Sequence, residues 1–324
     1  MDALSVSRRE FTLSAAAMLG AGLTAVGRQR DSGPSESARS VQRTYHVLGV
    51  PLRSGSLYPG NEDDAQAYRD AKLLARLQAA GCNVLDDGNL AIPSYLPHHF
   101  IPPIRSWPGP RIVWDIISDR LQPILGQSGH VPLLIGCDCS VVVGTTQALL
   151  RTVVPGDIHV IYVDGDFDDA PPEASRSQSA ATLAMWLLTH GSPFWSGPAL
   201  APSQVTLMGC TVPSRSPEIT SRAMLLADIR KKSAVEAARA ALAAIPQSAQ
   251  ILLHLDIDVF QKTEMPVAYF PHDEGLTLAE GAQLLSVLAK DRRVRAIEVA
   301  EYSTLRDLER HWVSKLIELL AQAL

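Results

Sequence analysis

The feature that most constrains the fold of this chain is an apolar run that ends on alternating carboxylates. Ile158, His159, Val160, Ile161, Tyr162 and Val163 lead directly into Asp164-Gly165-Asp166-Phe167-Asp168. A short run rich in Val, Ile and Tyr reads as a strand buried in a parallel sheet. Three carboxylates at i, i+2 and i+4 then fall where the strand meets its loop, the end at which open α/β sheets bind ligands. Crowded there, they repel one another until protons or cations neutralise them, and hard divalent cations take oxygen ligands. One such cluster alone is as well explained by a solvated acidic turn.

A second cluster shifts that balance. The run Ile251, Leu252, Leu253, His254, Leu255 ends on Asp256-Ile257-Asp258. Side chains two apart on a strand point the same way, so both carboxylates can serve one centre. Leu133 to Ile135 leads into Gly136-Cys137-Asp138-Cys139-Ser140, and residues 294–299 form a further strand-like run that carries Glu298. Four strand ends bearing potential ligands read together as a metal site.

The remaining elements are placed by periodicity and punctuation. Residues 45–50 read as the first strand, 63–80 as a helix with Ala67, Ala71, Leu74 and Leu77 on one side, and 82–85 as a short second strand after the capping Gly81. Residues 93–110 hold six prolines and read as a loop carrying His98 and His99, which are expected to be exposed. Helices are expected over 112–121, with Pro123 beyond the end, and over 145–151, 180–190, 276–290 and 307–324. The stretch 217–243 reads as largely helical and 204–210 as a strand. Strands alternating with helices predict an α/β domain, its parallel sheet covered on both faces.

Composition narrows the function. With 46% hydrophobic residues the chain can bury a large core, and a net charge of -5 gives no sign of a nucleic-acid partner. Four scattered cysteines, Cys82, Cys137, Cys139 and Cys210, do not make a disulfide framework, and a Cys137–Cys139 ring would strain the bond's dihedral. Residues 1–27 read as an export signal: Arg8-Arg9, with Phe11 two positions on, precede a small-residue apolar segment, a pattern that resembles a twin-arginine signal. Residues 28–43, rich in Ser and Arg, read as a flexible linker, and 44–324 as the globular domain. The chain is therefore expected to engage the twin-arginine export machinery and to work in the periplasm.

Taken in order, these residues resemble the ureohydrolases, the family of arginases, agmatinases and formimidoylglutamases. The resemblance runs from about Thr44 over nearly all that follows, including Gly49-Val50-Pro51 and Asp86-Asp87-Gly88-Asn89-Leu90. The family's G-G-D-H pattern is partly met by Gly136-Cys137-Asp138-Cys139, and D-x-H-x-D by Asp164, Asp166 and Asp168. S-x-D-x-D is met in its carboxylates by Asp256 and Asp258, with His254 in place of Ser, and the late Glu-Val pair by Glu298-Val299. The resemblance implies an arginase-like three-layer αβα sandwich with a central, mainly parallel sheet, and possible homo-oligomers. It also implies two divalent ions, manganese by family habit. One would be held by Cys139, Asp164, Asp168 and Asp256, the other by Asp164, Asp166, Asp256 and Asp258. A metal-bridging hydroxide would attack the guanidinium or amidine carbon. Glu298 would anchor the substrate cation, and Asp166 would stand beside the reacting centre.

The departures from the family pattern bear on chemistry. Cys139 and Asp166 stand where the family has histidine ligands. The position of a catalytic histidine in arginases falls near Ala180, and Ser175-Arg176-Ser177-Gln178 lacks the Ser-Gly-Asn signature. An additional Asp, and a thiolate at Cys139, would make the shell more anionic, which holds cations but hinders the ionisation of bound water. Thiolate also favours zinc, iron or nickel over manganese; unligated, Cys139 would be a small buried hydrophobe. His254 reads as a core histidine, and His190 and His272 as candidate proton shuttles. Two functions stay open: a metal-dependent hydrolase of a non-peptide C–N bond in a linear guanidine or amidine, and a non-catalytic relative that binds metal or ligand without turnover.

Overall fold

A computed structural model of the chain describes residues 43–51, 64–190, 193–195, 197–211, 219 and 223–324. The expected signal and nearly all of the linker lie outside these residues.

Seven strands form one sheet in the order β2-β1-β3-β7-β6-β4-β5, every neighbouring pair parallel. They are β1 (Thr44–Gly49), β2 (Asn83–Asn89), β3 (His130–Cys137), β4 (Ile158–Val163), β5 (Val205–Met208), β6 (Gln250–Asp256) and β7 (Val294–Ala300). The two last strands are inserted between β3 and β4. Because all strands are parallel, their carboxyl ends share one edge, and the insertion brings the tips of β6 and β7 between Cys139 and Asp164.

Helices cover both faces, as the αβα expectation requires. On one face α3 (Gly109–Leu125), α4 (Val141–Leu150) and α5 (Ala184–His190) pack through Trp114, Ile117, Val142, Leu187 and their neighbours. On the other lie α1 (Asp64–Asp70), α2 (Leu73–Ala79), α6 (Leu226–Lys232), α7 (Ala234–Ala244), α8 (Leu278–Leu288) and α9 (His311–Ala323). Each strand divides its apolar residues accordingly: Ile161 and Val163 face the second layer, Val160 and Tyr162 the first.

Several expected boundaries move. The helix expected over 63–80 is two helices, broken at Lys72, which adopts a left-handed φ of 67°. β2 extends beyond residues 82–85 through Asp86-Asp87-Gly88-Asn89, which do not read as strand residues. It is an edge strand, and its half-exposed polar side chains need no apolar alternation. Pro123 lies inside α3 rather than after it, where the missing N–H leaves one intrahelical bond unmade. α4 starts at Val141, not residue 145, under a run of β-branched valines that disguises helix as strand. The stretch 217–243 contains α6 and α7, separated at Ser233, whose hydroxyl caps α7 by accepting from the Glu236 N–H at 3.2 Å.

Candidate metal centre

The strand tips position the site. Asp164 follows the last residue of β4, Asp256 ends β6, and Glu301 follows the last residue of β7. Each aspartate is aimed by a backbone N–H of its own or the neighbouring loop. Asp164 Oδ1 accepts from the Asp166 N–H at 2.6 Å, and Asp256 Oδ1 from the Asp258 N–H at 2.8 Å. Asp258 Oδ1 accepts from the Gly165 N–H at 3.0 Å. With one oxygen fixed, the carboxylates of Asp164, Asp256 and Asp258, all buried, bring ligand oxygens within 4.8 Å of one another. The close approach of the two loops requires glycine at 165, where a Cβ would meet the Asp258 carbonyl oxygen at 2.9 Å and the His272 ring at 2.6 Å.

Two further groups flank this trio. At the rim, His272 Nε2 lies 3.5 Å from Asp166 Oδ2 and 3.4 Å from Asp258 Oδ2. Asp166 is exposed, Asp258 buried and His272 half-buried. On the other side Cys139, Asp256 and Glu301 converge, and so do Cys139, Asp164 and His254, all of them buried. The Cys139 thiol donates to Asp256 Oδ2 at 2.8 Å, and its backbone N–H donates to Glu301 Oε1 at 3.3 Å.

The electrostatics follow from burying so much negative charge. Burial first, and then mutual repulsion, hold Asp164 and Asp256 well above the ordinary carboxylate range. Asp168 is raised by burial as well, against the opposing hydrogen bond it accepts from the Tyr162 hydroxyl at 2.7 Å. Burial and the carboxylates of Asp256, Asp168, Glu301 and Asp164 push the Cys139 thiol up. The carboxylates of Asp166 and Asp258 raise His272 to about 10, against partial burial. All of these shifts express one demand: the cluster needs positive charge. An unneutralised buried carboxylate costs several kcal/mol, so protons or cations must fill the site at neutral pH.

The donor set fits divalent cations. Asp164 Oδ2 and His254 Nε2 are buried without a hydrogen-bond partner, a loss of roughly 1–3 kcal/mol for each group if nothing else engages it. The three-aspartate group is all oxygen, suited to a hard cation. The group of Cys139, Asp164 and His254 mixes sulfur, oxygen and nitrogen, which suits a softer one.

Asp164, Asp256 and Asp258 therefore converge, Asp166 reaches the rim through Asp258 and His272, and Cys139 lies within the site. Asp168 joins none of these donor groups among the described residues; its backbone is left-handed, with φ 47°, and its Oδ2 is held by Tyr162. Glu298 is fully buried inside β7, where its Oε2 pairs with His254 Nδ1 at 2.8 Å. The carboxylate that joins the site from this strand is Glu301, which sequence reasoning missed. The signal was present: Glu301 follows Val299-Ala300 as Asp164 follows Val163, so extending the last strand by one residue places it at the tip. Cys210 was also missed; its thiol donates to the Asp166 carbonyl at 2.9 Å and props the β4 loop from below. His98, His99 and His190 belong to none of the donor groups among the described residues, and Ala180 is buried in the core.

Comparison with known proteins agrees with this architecture. An arginase of Brevibacillus brevis is 22% identical over 286 residues, covering 83% of this chain and 93% of that protein. The crystal structure of Entamoeba histolytica arginase in complex with L-ornithine superposes with a TM-score of 0.76 at 16% identity, covering 87% of this chain and 98% of that one. Trypanosoma cruzi formiminoglutamase with two Mn2+ superposes with a TM-score of 0.68 at 19% identity, covering 88% and 94%. Residues 43–323 match the sequence profile described as "Arginase family". The chain belongs to the arginase family, metal-dependent hydrolases of guanidino compounds whose members bind a dinuclear metal site.

Proposed function

We propose that this protein hydrolyses a non-peptide C–N bond in a linear guanidine or amidine, using divalent cations held by Asp164, Asp256 and Asp258 with Cys139 and Asp166 at the flanks. The observation that carries the reading is the convergence of three buried carboxylates, each fixed by a backbone N–H, at one edge of the sheet. Cations bound there supply Lewis acidity and a nucleophilic water at neutral pH.

The chain's own residues do the rest. Glu301, buried at the β7 tip and receiving the Cys139 N–H, offers a fixed negative partner for the cationic C–N group of the substrate. It takes the anchoring role that the resemblance gives to Glu298. His272 stands at the rim beside Asp166 and Asp258, where a protonated imidazole can pass its proton to the departing amine. Phe167, between Asp166 and Asp168, is buried and packs with the core of the first helical layer. We propose zinc, nickel, iron or manganese as the ion, with Cys139 favouring the softer choices. We also propose that residues 1–27 direct twin-arginine export to the periplasm, a reading supported by Arg8-Arg9 and the apolar segment after them.

Two observations favour a second reading, in which the protein binds metal without turnover. The Cys139 thiol proton occupies Asp256 Oδ2, and the Asp166 side chain is 57% exposed, so it holds an ion less firmly. Release of urea, ammonia or formamide from a panel of guanidines and amidines, with protein loaded with Mn, Ni or Zn, decides between them. Product above the metal-only control supports hydrolysis. Bound metal with no product across the panel supports the second reading.

A further inference from the structure

Beneath the carboxylates a row of three polar side chains crosses the middle of the sheet. Tyr162, His254 and Glu298 are register neighbours on β4, β6 and β7. The Tyr162 and His254 rings stack with centroids 4.3 Å apart and 6° between planes. His254 Nδ1 contacts Glu298 Oε2 at 2.8 Å, and neither side chain reaches solvent. His254 Nε2 has no hydrogen-bond partner, and neither does Asp164 Oδ2. His254 shares a strand face with Asp256, two residues on, and its ligand atom lies within 4.8 Å of both Cys139 and Asp164.

We propose that His254 is a metal ligand, binding through Nε2 in one group with Cys139 and Asp164, and that Glu298 is the carboxylate that orients it. Glu298 accepts the Nδ1 proton, which fixes the tautomer that leaves the Nε2 lone pair free. A ligating histidine usually donates its other ring N–H to a carboxylate or carbonyl in this way. Stacking on Tyr162 fixes the ring plane, so the nitrogen cannot turn away from the strand tip. Donors about 2.0–2.3 Å from a shared ion lie up to about 4.5 Å apart, a spacing that the 4.8 Å limit of this group approaches. The alternative is a core histidine that packs on Tyr162 and bonds Glu298 alone. It explains the Nδ1 contact and the stack but leaves both His254 Nε2 and Asp164 Oδ2 buried without a partner. Ligation engages both orphaned atoms with one ion. Glu298 thereby becomes a positioning residue that touches neither substrate nor metal.

The proposal rests on the metal-centre reading but not on turnover, so its test reads the metal directly. Full-length His272→Ala protein, loaded with one equivalent of zinc, is examined by X-ray absorption; the substitution removes the other imidazole near the site. The expected spectrum has one imidazole at about 2.0–2.1 Å and one sulfur at about 2.3 Å. The imidazole contribution disappears in His254→Asn/His272→Ala, whose folding is checked by circular dichroism. Glu298→Gln lowers zinc affinity about 10- to 100-fold with the imidazole still bound. Zinc bound through oxygen and sulfur alone, or an imidazole that persists in the double variant, overturns the assignment and leaves the metal centre standing. No zinc bound to either protein, or to the unsubstituted chain, overturns the metal-centre reading itself and this assignment with it.

Discussion

At the scale of single residues, the site is a problem of charge. Asp164, Asp168 and Asp256 are raised by burial and by one another, and His272 is raised to about 10. A group whose folded pKa is raised stabilises the fold below its unfolded value, and that contribution is lost as pH climbs through the folded value. For the aspartates the loss begins above the ordinary value of 3.8. For His272 the stability is fully present below 6.5 and lost towards about 10. Both act in the same direction. The metal-free protein should therefore lose thermal stability as pH rises from about 5 to about 9, and added divalent cation should remove most of that fall. A melting temperature of the metal-free protein that rises over this interval would count against the cluster. Cys139→Ser replaces the soft donor and should shift preference from zinc towards manganese, read as the ratio of the two affinities. An unchanged ratio would mean that the thiol ligates nothing.

At the scale of elements, strand tips and loop approach decide the geometry. Gly165→Ala pushes a Cβ against the Asp258 carbonyl and the His272 ring, which should cost about 1–3 kcal/mol and weaken metal binding together. Thr277→Ala removes the cap of α8, whose hydroxyl accepts from the Glu280 N–H at 3.1 Å; it should cost about 1 kcal/mol and leave metal affinity unchanged. Denaturant unfolding and metal titration of both variants check the contrast, and equal metal affinities would show that the loop approach does not shape the site. The same elements explain what was legible in the sequence. β4 and β6 are dense in β-branched and aliphatic residues, β4 leading directly into Asp164 and β6 ending on Asp256, so runs of apolar residues located the tips of both. β7 also reads as a strand, but stopping it at Val299 hid Glu301. β2 was clipped because an edge strand carries no apolar alternation, and the start of α4 was hidden by Val141-Val142-Val143. Lys72 carries no residue signal for a left-handed break.

At the scale of the whole molecule, topology does what local sequence cannot announce. Nothing in the runs themselves says that β6 and β7 insert between β3 and β4, yet that order alone carries Asp256 to Cys139 and Asp164. The resemblance supplied the grouping of Cys139, Asp164 and Asp256 that periodicity could not. The late Glu-Val pair drew the anchoring role to Glu298, which the structure buries inside β7 against His254. The proposed export belongs to the full chain: Arg8→Lys with Arg9→Lys should leave the protein unexported, read by cell fractionation, whereas undiminished export would remove the twin-arginine reading.

Metal content of the purified protein, set beside that of Asp256→Ala, tests the central claim most directly, because Asp256 joins the donors of β3, β4 and β6 in one place. The account expects two equivalents of divalent metal in the unsubstituted protein and neither in a folded Asp256→Ala. A protein that binds none, or a variant that keeps both, would contradict it.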